Sequence, residues 1–446
     1  MEFDQNALLY RNPNLIINRI DENFYAITNP FIDNGIKVIN NFQFAILDII
    51  NGSETIDSIV FKTKQSRDEI KKLISILLEK QFISFDDHFP EPIWKRTNRS
   101  LNLWIQTTNE CNLRCSYCYI HTLGMNDHLK DTDISYLIDK IVETVKRNKL
   151  RLVQLRLAGG EPLLRASQWK TKIPELREKL NLLGCELKIA FLSNIVALNN
   201  QLLEFMKKNS IGIGVSIDGI GVYQNATRHF KNGNGTFEIV NKNLQKLLDY
   251  GFKPSLMTVV SNSNLDGLEG FTKYVIEKKL HNRYSFVSGE NISINKLINK
   301  MQLCYRIFES AIENGYEFTK LHQLCDLKFD KLFFQTCSDG YNGGALYVNG
   351  NVYFCQRHFG VEQPLGSIFE EDDILTIIQR KTYYKEIHND CKSCIYRCFC
   401  TSGCPIERIN GKDPHCEVYK SLIPIILRLR GKERLFKIKQ LEINKF

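Results

Sequence analysis

Three cysteines stand at spacings of four and three residues in the run Cys111-Asn-Leu-Arg-Cys115-Ser-Tyr-Cys118-Tyr119. Three thiolates so spaced can hold three corners of a cubane [4Fe–4S] cluster from one loop, leaving the fourth iron open to a small molecule. A structural zinc site would want a fourth ligand close by, and His121 is the candidate near in sequence. A second set follows: Cys337 and Cys355, then Cys391, Cys394, Cys398, Cys400, Cys404 and Cys416. Of 14 cysteines, only Cys185, Cys304 and Cys325 lie outside these groups. The N-terminal residues lack the basic-then-apolar pattern of an export signal, so a cytoplasmic setting is expected. Thiols there stay reduced and read as metal ligands before disulfides.

The chain around these cysteines has 446 residues, 43% hydrophobic and 24% charged, enough for two to four domains. No run of about 18 apolar residues occurs, so no membrane partner is expected. The net charge of +9 is scattered, without the basic stripe that marks a nucleic-acid partner. From about residue 100, strand-like runs at 101–107, 152–158, 187–192, 211–217, 254–260 and 284–287 alternate with amphipathic helical stretches. Six such repeats predict an α/β fold with a parallel sheet or partial barrel, whose ligands gather at the carboxyl ends of the strands. Residues 1–95 read as a separate module. Phe24–Thr28 and Ile36–Asn40 are predicted strands around the turn signal Asp33-Asn34-Gly35, Phe42–Ile50 is a predicted helix, and His88–Pro92 a linker. A helix over 67–82 is capped by Ser66 and Glu69, with Ile70, Leu73, Ile74, Leu77 and Leu78 on one face.

The motif at 111–118 resembles that of the radical S-adenosylmethionine (SAM) enzymes, over about residues 100–290. Further matches follow in order: Gly159-Gly160-Glu161-Pro162 after the second strand, Asn194 after the third, Ser216 with Asp218-Gly219 ending the fourth, and then Arg228. The resemblance implies a partial (β/α)6 barrel and SAM contacts from Tyr117, Gly159, Gly160, Glu161, Asn194, Ser216 and Arg228. Within these, Glu161 and its glycines would serve the amino group, Arg228 the carboxylate, and Tyr117 the adenine. Ile195 departs from the glycine usual after Asn194. The implied chemistry is reductive cleavage of SAM to a 5′-deoxyadenosyl radical that abstracts hydrogen from an unreactive carbon.

The C-terminal cysteines, with Gly350 five residues before Cys355, resemble the seven-cysteine SPASM domain, which implies two auxiliary [4Fe–4S] clusters and three in all. By that pattern Cys337, Cys355 and Cys404 hold the first auxiliary cluster. Cys391, Cys394, Cys400 and Cys416 hold the second. The fourth position of the first stays open between Cys325, Cys304, Cys398 and none. Residues 1–95 resemble the winged-helix-like precursor-peptide recognition element of maturases of ribosomally made peptides, with 96–300 as barrel and 301–446 as bridging region and SPASM domain. The implied activity is installation of a thioether, C–C or ether crosslink, or a related modification, on a precursor peptide. The leader is bound by residues 1–95, and a flavodoxin or ferredoxin is the reductant. No residue marks the general base. The competing readings are a formylglycine-generating sulfatase maturase, against which stand the N-terminal module and Gln356 after Cys355, and a non-catalytic iron–sulfur electron-transfer or peptide-binding protein.

Overall fold

The computed structural model describes residues 7–32, 35–91, 99–124, 126–330, 332, 335–382 and 388–443. Of the predicted turn and linker, Asp33, Asn34 and Pro92 lie outside them.

In the N-terminal module, strands β1 (Ile16–Arg19), β2 (Phe24–Thr28) and β3 (Lys37–Asn40) form an antiparallel sheet in that order. Helices α1 (Asn41–Ile49), α2 (Ile56–Thr63) and α3 (Arg67–Glu79) follow. The Ser66 side chain accepts from the Glu69 backbone, as the capping pattern predicts. Glu69 answers by taking the Ser66 hydroxyl at 2.9 Å. Ile70, Leu73, Ile74 and Leu77 bury the predicted face against Ile27, Ile39, Ile46 and Leu47. β1 and α2 were not expected from the sequence. β1 spans four residues, too short for alternation to declare itself.

The main sheet is parallel through β4 (Ser100–Thr108), β5 (Leu152–Gly159), β6 (Glu186–Ser193), β7 (Ile211–Ser216), β8 (Ser255–Val260) and β9 (His281–Phe286), neighbours in chain order. Helices α4 (Asp131–Asn148), α5 (Lys172–Asn181), α6 (Asn200–Lys208), α7 (Phe237–Asp249) and α8 (Leu268–Glu277) connect them. Alternate strand residues such as Leu103, Leu155, Ile189 and Ile213 are buried among helix residues such as Ile138, Leu176 and Leu203. On the other face Trp104, Arg156, Ala190 and Gly212 form one cross-strand row, and Ser216, Met257 and Arg283 another. After α9 (Ile294–Glu313), β10 (His322–Leu324) extends the sheet parallel to β9. At the far edge β11 (Gly343–Leu346) pairs in parallel with β4. β12 (Asn351–Tyr353) and β13 (Gly366–Ser367) add antiparallel strands there. The sheet is open, a partial barrel with six sequential parallel strands.

The last helix, α10 (Cys416–Ile443), packs along α9 and against the N-terminal sheet. Among the described residues no helix is long and apolar enough to cross a membrane.

Candidate active site

The three-cysteine loop leaves the end of β4 and is held there by backbone. Gly160 donates to the Thr108 carbonyl at 2.7 Å and Glu161 to the Glu110 carbonyl at 2.8 Å. A Cβ on Gly159 would sit 2.3 Å from the Thr108 oxygen, and one on Gly160 2.2 Å from that of Glu110. The pair of glycines is therefore a requirement of close backbone approach. The other flank of the loop pairs with the segment after the short helix Val222–Thr227. Arg114 donates to the His229 carbonyl and Ser116 to that of Thr227, each at 2.9 Å. Arg228 is thereby carried to the cysteines.

Polar groups converge on this loop. The Asn194 side-chain amide stands 3.9 Å from the Cys111 sulfur and donates to the Asn112 side chain at 2.9 Å. An Arg228 Nη1 stands 3.9 Å from the Cys115 sulfur. Arg228 Nε donates to Asp218 at 2.8 Å, and the Tyr117 hydroxyl donates to the same carboxylate at 2.5 Å. The Arg228 guanidinium lies 5.5 Å from the centre of the Tyr117 ring. Ser216 ends β7, in the row with Met257 and Arg283. Glu161 is fully buried, and its carboxylate accepts from Ser193 Oγ at 2.7 Å, Asn194 N at 2.8 Å and Leu163 N at 3.0 Å. Burial pushes it up to about 7, against those donors. Its side chain thus fastens the ends of β5 and β6 to each other. Asp218, which the sequence marked only as a strand end, is the hub of the Arg228 and Tyr117 contacts. Its partners lie 10 and 101 residues away, so no local pattern reports it.

Burial raises the Cys111 thiol to about 12 and the Cys115 thiol to about 11, with Arg228 opposing the second, and raises Cys118 as well. A bound metal reverses this, since it requires thiolates. The C-terminal cysteines divide into two groups. Cys391, Cys394, Cys400 and Cys416 line one cavity. Burial takes Cys400 up to about 12, and the other three add to the rise. Cys355 acts on Cys337, and Cys404 acts on Cys355. Desolvation raises the Asp339 carboxyl to about 6, while Arg156 and the nearby Cys355 and Cys337 thiols oppose the rise. Cys185 and Cys304 are core residues, and Cys398 is buried beside Arg397. The donor chemistry fits iron–sulfur groups. Soft thiols come in sets of three, three and four, and the Asn194 amide and Arg228 guanidinium stand beside the first set.

Residues 105–275 match the radical SAM superfamily. An uncharacterized protein of Methanocaldococcus jannaschii is 31% identical over 290 residues, 61% of this chain and 90% of that relative. A cysteine-type anaerobic sulfatase-maturating enzyme of Clostridium perfringens is 22% identical over 344 residues, covering 70% of this chain and 91% of the relative. Among solved structures, Streptococcus suis SuiB bound to precursor peptide SuiA superposes with a TM-score of 0.53 at 14% identity, over 92% of this chain and all of that one. The chain belongs to the radical SAM superfamily, and that membership implies a [4Fe–4S] cluster and SAM.

Proposed function

We propose that this protein is a radical SAM maturase of a ribosomally made precursor peptide, with three [4Fe–4S] clusters and with residues 1–95 as its leader-binding module. When bound and reduced by a donor such as flavodoxin or ferredoxin, the first cluster and SAM supply the 5′-deoxyadenosyl radical that removes a hydrogen from the peptide. The residues do the rest. Cys111, Cys115 and Cys118 hold the first cluster. Asp218 aims Arg228 at the SAM carboxylate, a pairing suited to its fork of donors. Gly159 and Gly160 keep backbone groups close enough to face the SAM amino group, and Tyr117 gives the adenine a wall. Cys337, Cys355 and Cys404 serve the first auxiliary cluster, and Cys391, Cys394, Cys400 and Cys416 the second.

The observation that carries the peptide reading is the unpaired edge of the N-terminal sheet. β3 pairs only with β2 among the described strands, so its outer backbone groups are available to an added strand. Lys37 on β3 lies near Glu79 and Lys80 at the end of α3, and Ile76 of α3 is 51% exposed. A peptide strand laid along β3 would cover that apolar side chain. The neighbouring structure that carries a precursor peptide spans 92% of this chain, which supports the same reading. The test is Ile76→Glu. Precursor affinity should fall at least about tenfold, with iron content unchanged. Unaltered affinity for the precursor encoded beside this gene would remove the module from the proposal. Sulfatase maturation is the second reading, favoured by the Clostridium perfringens relative. It requires formylglycine in a sulfatase peptide incubated with the enzyme, and a crosslinked product by mass spectrometry rules it out.

A further inference from the structure

The cavity of Cys391, Cys394, Cys400 and Cys416 is also lined by Arg397. Arg397 belongs to the cysteine loop by its backbone. Its N–H donates to the Cys394 carbonyl at 3.0 Å, and its own carbonyl accepts from Thr401 N at 2.9 Å. Its side chain reaches out of that loop. Nη1 donates to the Lys392 carbonyl, and Nη2 donates to the Glu91 carboxylate. The guanidinium also lies 4.9 Å from the centre of the Phe31 ring. Phe31 is a buried residue of the N-terminal module just after β2, and Glu91 stands in the segment that leaves the module. One side chain therefore joins the second set of four cysteines to both. We propose that Arg397 is a positioning residue that seats the precursor-binding module on the second auxiliary site, so that filling this site with iron and sulfide fixes the module for its peptide.

The loop has little regular structure of its own to hold Arg397 in place. It carries two helices of four residues each, Asn389–Lys392 and Arg397–Cys400. Helices that short do not persist by themselves in water. Four thiolates bound to one group tie such a loop together, and the free energy of binding becomes free energy of folding. Of the two contacts that Arg397 makes outward, the ring matters more. The Glu91 side chain is 74% exposed, and a pair with so open a carboxylate contributes little. Phe31 is buried, and a guanidinium gains more from an aromatic face as water is excluded. The module's other support begins at the same site. Cys416 is the first residue of α10, and α10 packs against β1, β2 and β3. That apolar support keeps the module attached when Arg397 is replaced, so substitution there reads placement rather than folding.

This inference rests on the second auxiliary site and the leader-binding module proposed above, and the experiment tells their failures apart. Full-length protein is reconstituted anaerobically with iron and sulfide, and hydrogen exchange is followed in peptides spanning residues 24–32. Arg397→Ala should keep the parent's iron content, raise exchange there at least about threefold, and raise KM for the precursor without lowering kcat. Phe31→Leu keeps apolar bulk and removes the ring. It should do the same, and it decides the matter if the alanine variant folds poorly. Cys391→Ala, short of about four irons, should show the same rise in exchange, and adding Arg397→Ala to it should bring no further one. Unchanged exchange in Arg397→Ala and Phe31→Leu, or a double variant in which the two rises multiply, would overturn the coupling. Full iron content in Cys391→Ala would instead overturn the auxiliary assignment. Raised exchange with unaltered precursor affinity would overturn leader binding and leave the seat in place.

Discussion

The carboxylate of Asp218 takes hydrogen bonds from Tyr117, Arg228, Thr227 at 3.0 Å and the backbone of Val259 at 2.9 Å. Arg228 is 9% exposed, and Asp218 is the partner that makes its charge tolerable there. Asp218→Asn keeps the shape but not the charge. Its expected outcome is SAM affinity lowered about tenfold or more at unchanged iron content, measured by calorimetric titration of reconstituted protein. Asp218→Ala should cost about 3–5 kcal/mol of stability by stranding the guanidinium, read from the denaturant midpoint. Cys115→Ala, by contrast, should lose about four irons and all 5′-deoxyadenosine formation in an anaerobic assay, while the auxiliary irons remain. Ile195 explains its own departure from the resemblance. Its φ is +55°, a left-handed conformation that suits glycine, and the Ser193 hydroxyl accepts its N–H at 2.8 Å while Asn243 donates to its carbonyl at 2.8 Å. Two clamps and full burial hold a β-branched residue in a state that costs on the order of 1–3 kcal/mol.

Between elements, α9 and α10 are joined by two carboxylates of α9, Glu309 and Glu313, the second pairing with Lys432 at 2.6 Å. Glu309 on α9 receives both terminal nitrogens of Arg428, at 2.5 and 2.6 Å, and Lys432 Nζ at 3.0 Å, the last two residues on α10. The Arg428 fork first, and Lys432 after it, hold Glu309 down at about 2 against the opposing effect of burial. A carboxylate depressed in the fold stabilises above its unfolded value of 4.5 and loses that contribution as pH falls toward 2. Glu309→Gln should therefore cost about 1–3 kcal/mol at neutral pH, with the deficit against the parent shrinking from about pH 5 downward in thermal melts. The strand and helix alternation was legible because each of the six strands has at least six residues, and one face of each is buried against helices. β10, β12 and β13 were not, because two or three residues carry no period and earn their place only by pairing.

At the scale of the molecule, the N-terminal module is docked, not tethered. Ile16, Ile20, Ala26 and Ile36 belong to the core of the barrel and α10, while the module's helices keep a core of their own. A Cβ on Gly431 of α10 would stand 2.4 Å from that of Ala26. Gly431→Leu should prise β2 from α10. Hydrogen exchange in β2 should rise at least about tenfold and precursor turnover should fall, with iron content and peptide-independent SAM cleavage retained. Excising residues 1–95 would instead bare the face of α10, so point substitutions test the proposed leader binding more cleanly.

The cysteine spacings, the Gly159-Gly160-Glu161 run and the rhythm of strands were written in local order, because a loop that wraps a cluster and a strand that fills a barrel each impose a short-range pattern. Asp218 and the seat of Gly431 on Ala26 were decided only in three dimensions. Each joins residues far apart in the chain, and the burial that gives such a contact its strength exists only once the chain has closed around it.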